Sequence, residues 1–328
     1  MKILVIYTGG TIGSANTDGS IAPSDDAKSL VVEMYKKEYG SEVEFEFANP
    51  YTILSENLDG KSLVSLAKAV KDGIAKGIYD GIIVTHGSDT IQYSSSMLCY
   101  ALGLSTIPVM LVCSNYILSD ERANGLENFV AAVEFIKAKL GTGVFVSYAN
   151  EKGTTYIHRG SKLLAHEVFS DSLKSVDDMW YASYSDGTFT KNDSYKEMSD
   201  KMDTLNVEDL METSGILFST IHPGMIFPKF DRSLRAAIFQ GYHSGTLSTG
   251  TEEMSEFASE AKDIGIPVFS CGAKVDGSNY ASLDRFEELG ITRLDGVSPI
   301  AMYMKAWLLA VNDIDIADNM MNPLGGDF

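Results

Sequence analysis

Short apolar runs alternate with longer stretches of helical period through the first half of this chain, and that alternation constrains the fold more than any other feature. The runs cover residues 3–7, 42–49, 81–85, 108–113, 142–148 and 154–158. Helical period covers 27–39, 60–75, 93–103 and 123–140. A strand that is apolar at nearly every position has no face to offer water. Alternating with helices, such strands predict a parallel sheet covered on both sides. Sheets of this kind bind ligands beyond the carboxyl ends of their strands.

The pattern breaks over 176–213, a polar stretch rich in Asp, Ser and Lys, and then resumes. Strands are predicted over 215–221, near the end of 230–239, and over 268–271, with helices over 251–264, 281–288 and 298–312. A single core stops growing at about 250–300 residues, and this chain has 328. The expected organisation is therefore an N-terminal α/β domain over 1–185, a connecting segment over 186–212 and a smaller C-terminal α/β domain over 213–328. The closing Pro323-Leu324-Gly325-Gly326-Asp327-Phe328 reads as a loose tail.

Charge excludes whole classes of partner. There are 26 Lys and Arg against 45 Asp and Glu, a net charge of −19. Such an excess repels polyphosphate and anionic lipid, so neither nucleic acid nor membrane is an expected partner. Cys99, Cys113 and Cys271 sit in apolar or small-residue contexts and read as buried free thiols rather than a disulfide framework. The histidines lack metal-ligand spacing. A cytoplasmic protein is the expectation.

Two strands end in polar clusters. Thr8-Gly9-Gly10-Thr11-Ile12-Gly13 follows the first run, and Thr85-His86-Gly87-Ser88-Asp89-Thr90 follows the third. The first is neither a dinucleotide fingerprint nor a P-loop. It reads either as a plain glycine turn or as a hydroxyl set beside free backbone N–H groups, the parts of a nucleophile and an oxyanion hole. The second reads as a helix N-cap, with Ser88 or Asp89 as the capping residue, or as polar groups facing the crevice. His86 reads as a structural residue.

Together the two clusters resemble the signatures of the bacterial-type L-asparaginase (asparaginase/glutaminase) family, T-G-G-T-I and H-G-T-D-T. Residues 112–128 resemble the stretch after that family's next strand. The resemblance implies a flavodoxin-like N-terminal domain with a smaller α/β domain behind it. It implies an amidohydrolase that releases ammonia from the side-chain amide of L-asparagine through a threonine acyl-enzyme, with no metal or cofactor. It also implies a homodimer or homotetramer. Glutamine or a related amide is the alternative substrate, and a non-catalytic amino-acid-binding protein the alternative class.

Carried over by position, the resemblance makes Thr11 the nucleophile, Ser88 the second hydroxyl and Asp89 the partner of the substrate ammonium. Ser55 and Glu56 fall in the segment that binds the α-carboxylate and amino groups, with Gly10, Gly87 and Ser114 lining the substrate. Arg159-Gly160-Ser161-Lys162 makes Lys162 the lysine expected beside Ser88 and Asp89, and an alternative register puts His166, or no basic group, there. The sequence departs from the family at Ser88, where the family has threonine. It departs again over 14–27, which hold no tyrosine to help activate the nucleophile; Ser20 and Ile21 stand at that place. The loop over 16–20 has the composition of a mobile lid.

Overall fold

A computed structural model describes residues 1–17, 19–196, 204–210, 213–274 and 280–328. Residue 18 of the expected lid, and 197–203 and 211–212 of the expected connecting segment, lie outside the described residues.

The chain opens on β1 (Lys2–Tyr7), then a hairpin of β2 (Ser14–Thr17) and β3 (Ser20–Pro23). Parallel strands β4 (Glu44–Ala48), β5 (Gly81–Thr85), β6 (Pro108–Val112) and β7 (Gly143–Glu151) follow. Between them run α1 (Asp25–Lys28), α2 (Leu30–Tyr39), α3 (Gly60–Ala75), α4 (Ile91–Leu102) and α5 (Gly125–Ala138). The strand order β4-β1-β5-β6-β7 is flavodoxin-like. Leu4, Ile6, Ile82 and Val84 enter one hydrophobic layer, and Ile3, Val5, Tyr7 and Ile83 enter the other. Both faces of β1 and β5 are thus covered, as their unbroken apolar runs require.

Beyond β7 the sheet turns antiparallel through β8 (Thr154–Arg159), β9 (Ala182–Ser185) and β10 (Thr188–Lys191). Lys152-Gly153 is too short for a parallel crossover, which needs a dozen residues or more. The sheet therefore continues to Lys191, within the polar stretch read as a connecting segment with some local structure. Asp186 and Gly187 join β9 to β10 at φ 48° and 75°, the backbone of a two-residue hairpin.

The smaller lobe is a parallel sheet of β11 (Ile216–Thr220), β12 (Ala236–Gln240), β13 (Val268–Cys271) and β14 (Ile291–Leu294). Helices α6 (Glu252–Ile264), α7 (Asp284–Leu289), α8 (Pro299–Val311) and α9 (Ile316–Asn319) accompany it. Thr251 and Ser298 cap α6 and α8, each accepting from a backbone N–H three residues on. One face of this sheet packs on α6 and α7. Its other face and α8 share a core with α4 of the large lobe. Ser298 Oγ ties the start of α8 to the Leu163 carbonyl at 2.6 Å.

The closing segment is not a loose tail. Asp327 is fully buried, its carboxylate 2.8 Å from Lys305 Nζ on α8. Tyr100 of α4 donates to the same carboxylate at 3.3 Å, and Ser161 donates to the Gly325 carbonyl at 2.8 Å. The tail is a clasp seated between the lobes. Cys99, Cys113 and Cys271 are buried free thiols. Among the described residues, no helix is long and apolar enough to cross a membrane.

Candidate active site

The site lies where β1 and β5 are neighbours, at their carboxyl ends. The chain leaves β1 for β4 on one side and returns to β5 on the other, so the connections leaving the two strands diverge there and open a crevice. Each strand ends in a glycine turn, and the two turns interlock. Gly10 has φ 76° and ψ 174°, a conformation essentially restricted to glycine. A Cβ on Gly10 would overlap the Gly87 backbone and lie 2.6 Å from the His86 carbonyl carbon. A Cβ on Gly87 would overlap the Ser55 side chain. Only a pair of bare backbones fits, and the residues that follow them are Thr11 and Ser88.

Hydrogen bonds lock this saddle. Gly10 N–H donates to the Ile53 carbonyl at 3.3 Å, and Ile53 N–H donates to the Thr8 carbonyl at 3.1 Å. Thr90 Oγ1 donates to the Ser55 carbonyl at 2.9 Å, joining the Ser55–Asn57 turn to the Ser88–Thr90 turn. His86 is buried beneath: its Nδ1 meets the Gly87 carbonyl at 2.8 Å and its Nε2 meets Ser94 Oγ at 2.8 Å. A carbonyl only accepts, so Nδ1 carries the hydrogen and the serine donates to Nε2. Burial holds this imidazole below its ordinary pKa, hence neutral. His86 is structural, as its sequence context suggested.

Neither Ser88 nor Asp89 caps the following helix; Thr90 holds the cap position, and its side chain makes no capping bond to the helix. Among the described residues, the Thr11 and Ser88 hydroxyls and the Asp89 carboxylate have no side-chain hydrogen-bond partner. Thr11 and Ser88 are half-buried, and Asp89 and Glu56 are exposed. An arrangement that commits its backbone to rigidity and leaves two hydroxyls and a carboxylate free is one that can attack and hold a small ligand.

The family profile described as Asparaginase, N-terminal matches residues 2–207. The chain belongs to the asparaginase family. It is 25% identical over 344 aligned positions to a glutamyl-tRNA(Gln) amidotransferase subunit of Sulfolobus acidocaldarius, covering 99% of this chain and 75% of that one. The Methanobrevibacter smithii protein of the same name is 24% identical, with coverages of 100% and 77%. In fold the chain is similar to the thermostable L-asparaginase of Thermococcus kodakarensis, with a TM-score of 0.77, 21% identity and coverages of 100% and 99%. L-asparaginase I of Vibrio cholerae gives 0.77, 19%, 100% and 98%. Amide hydrolysis is the general chemistry that family and fold support.

Against the asparaginase pattern, two expected residues go elsewhere. Lys162 Nζ donates to the Asp327 carbonyl at 3.0 Å, and the carboxylates acting on it are those of Asp327 and Asp177. It is a ligand of the tail, not a partner of Ser88 and Asp89. Ser114 stands at the end of β6, but its hydroxyl is buried and donates to the Tyr116 carbonyl at 2.6 Å. It shapes its own loop. The basic group that does reach the site is His166, with Nδ1 3.2 Å from the Ser88 carbonyl. The loop after Thr11 forms the β2–β3 hairpin, with Ser14 Oγ donating to the Gly10 carbonyl at 2.8 Å. Ser20 and Ile21, at the place of the missing tyrosine, are exposed.

The interlock makes a direct prediction. Gly10→Ala forces a strained backbone and drives apart the turns that carry Thr11 and Ser88. We expect a stability loss of about 1–3 kcal/mol and a fall in kcat of roughly 100-fold. Thermal unfolding and turnover of the same sample check it, and a variant with wild-type kcat would show that the two turns need not touch.

Proposed function

We propose that this protein hydrolyses the side-chain amide of L-asparagine to L-aspartate and ammonia, with Thr11 as nucleophile. The observation that supports the reading is the close approach of Gly10 to Gly87, which brings together the two turns in which Thr11 and Ser88 directly follow those glycines. Thr11 Oγ attacks the amide carbonyl and the C–N bond breaks. The hydroxyl proton passes to the leaving nitrogen, which departs as ammonia. Water then cleaves the Thr11 ester, releasing aspartate and restoring the hydroxyl.

Gly10 N–H is already bonded to Ile53, so the oxyanion falls to the other turn. The first amides of a helical turn have no acceptor within it. Those of Ser88 and Asp89 open the Ser88–Thr90 turn and are suited to a developing negative charge. Asp89 holds the substrate ammonium. Ser55 stiffens the floor beneath Gly87, and exposed Glu56 adds negative charge at the rim. A homodimer or homotetramer and a cytoplasmic location belong to the same proposal.

The test is ammonia release by the purified protein from asparagine and from glutamine. A methylene in a fitted pocket is worth about 1–3 kcal/mol, so kcat/KM for asparagine should exceed that for glutamine by roughly tenfold or more. The reverse preference would support a second reading, glutamine or a glutaminyl group on a carrier, which the likeness to amidotransferase subunits favours. Binding without release would support an amino-acid-binding protein. Asp89→Ala should raise KM by about 10–100-fold, the worth of a charged hydrogen bond, while kcat changes less than about threefold. A fall confined to kcat would move Asp89 from binding to chemistry.

A further inference from the structure

His166 is the group the mechanism has not used. Its Nδ1 lies 3.2 Å from the Ser88 carbonyl, and that oxygen can only accept, so Nδ1 carries the hydrogen. Nε2 is then a bare lone pair, and it is buried without a partner among the described residues. The ring stands edge-on to Tyr148 of β7, with centroids 5.2 Å apart and planes at 71°. The imidazole is therefore wedged between the sheet and the turn that carries Ser88 and Asp89. We propose that His166 is a positioning residue for this reaction, a brace that holds the Ser88–Thr90 turn in place only while its ring is neutral.

Protonation breaks the brace for a simple reason. A second N–H would appear at Nε2, where no acceptor waits, and a buried unmet donor is costly. The ring must then turn or move out, and the Ser88 carbonyl loses its donor. The groups around the ring bias this event in opposite directions. Burial disfavours the cation, whereas the Ser88 carbonyl, Asp89 on the turn and Asp171 on the same loop favour it, and burial prevails. Tyr148 has its phenol pushed up by burial, and His158 on β8 is pushed down to about 3, so neither contributes charge near neutrality. Glu167 and Lys174, on the same loop, pair with each other at 3.3 Å on the surface. The brace thus holds at neutral pH and fails as pH falls below the ordinary histidine value of about 6.5.

This inference rests on the Thr11 reading for its kinetic arm and stands apart from it in its spectroscopic arm. Long-range 1H–15N spectra, with His166→Gln to assign the ring, should show the Nδ1–H tautomer at pH 7 and a midpoint below about 6.5. The Nε2–H tautomer, or an ordinary midpoint, would overturn the brace. In kinetics, wild-type kcat should show a single acid limb below about pH 6.5. Glutamine keeps a donor for the Ser88 carbonyl but does not titrate, so His166→Gln should lose the limb, with kcat at pH 7 reduced no more than about tenfold. A limb that persists in His166→Gln would also overturn it. If the wild type released no ammonia at any pH, the Thr11 reading would fail while the spectra still decided the brace.

Discussion

Thr11→Ala should reduce ammonia release from asparagine by roughly 10^4-fold or more in kcat, the scale on which removal of a nucleophile acts. The substitution deletes a hydroxyl and a methyl from a half-buried residue and leaves Gly10, Gly87 and their shared contact untouched. Folding stability should therefore change by no more than about 1 kcal/mol, and calorimetric binding of aspartate should survive. Thr11→Ser retains the hydroxyl and loses the methyl that restricts χ1; it should keep a measurable fraction of the rate. Turnover by Thr11→Ala within tenfold of wild type would remove Thr11 from the chemistry and leave the Ser88 hydroxyl as the candidate to test next.

The second large effect is on stability. Asp327→Ala should destabilise the fold by about 3–5 kcal/mol, because it strands the Lys305 ammonium in the interior. Lys305 and Asp327 are 1% and 0% exposed at their side chains. Lys305 keeps one other oxygen, the Asn322 carbonyl at 2.6 Å, which offers a dipole but no countercharge. Burial acts on both partners, lowering the lysine pKa and raising that of the carboxyl, while each charge supports the other. For a chain of this length Tm should fall by about 4–7 °C. The double variant Lys305→Met with Asp327→Leu removes both charges and should recover most of the loss. If Asp327→Ala unfolds within about 2 °C of wild type, the clasp contributes little.

The sheet and its crevice were legible because their signals are local. Apolar runs at 3–7 and 81–85 announced the paired strands β1 and β5, and a glycine turn directly after each marked the place where chemistry could sit. Lys162 was misplaced because its motif fixes a position along the chain and says nothing of direction. Its ammonium finds an acceptor 165 residues away. Asp327 was missed for the same reason: glycines and a proline around it suggest coil, and the partner that buries it is on α8. The β9–β10 hairpin had a local sign, Asp186-Gly187, that a polar neighbourhood outweighed. His166 was legible only as an alternative register, since contact with Ser88 spans 78 residues.

The clasp also orders events during synthesis. Residues 325–327 complete the seam between α4, the Gly160–Lys162 turn and α8. A chain emerging from the ribosome can assemble β1 through β7 early, since N-terminal units fold first. Yet Lys162, Ser161 and Tyr100 wait for acceptors that lie 165, 164 and 227 residues further along the chain. The large lobe is therefore finished only once residues 325–327 have emerged. A nascent chain stalled short of residue 325 would present a formed sheet behind an open, cation-bearing seam, a species with every reason to engage a chaperone.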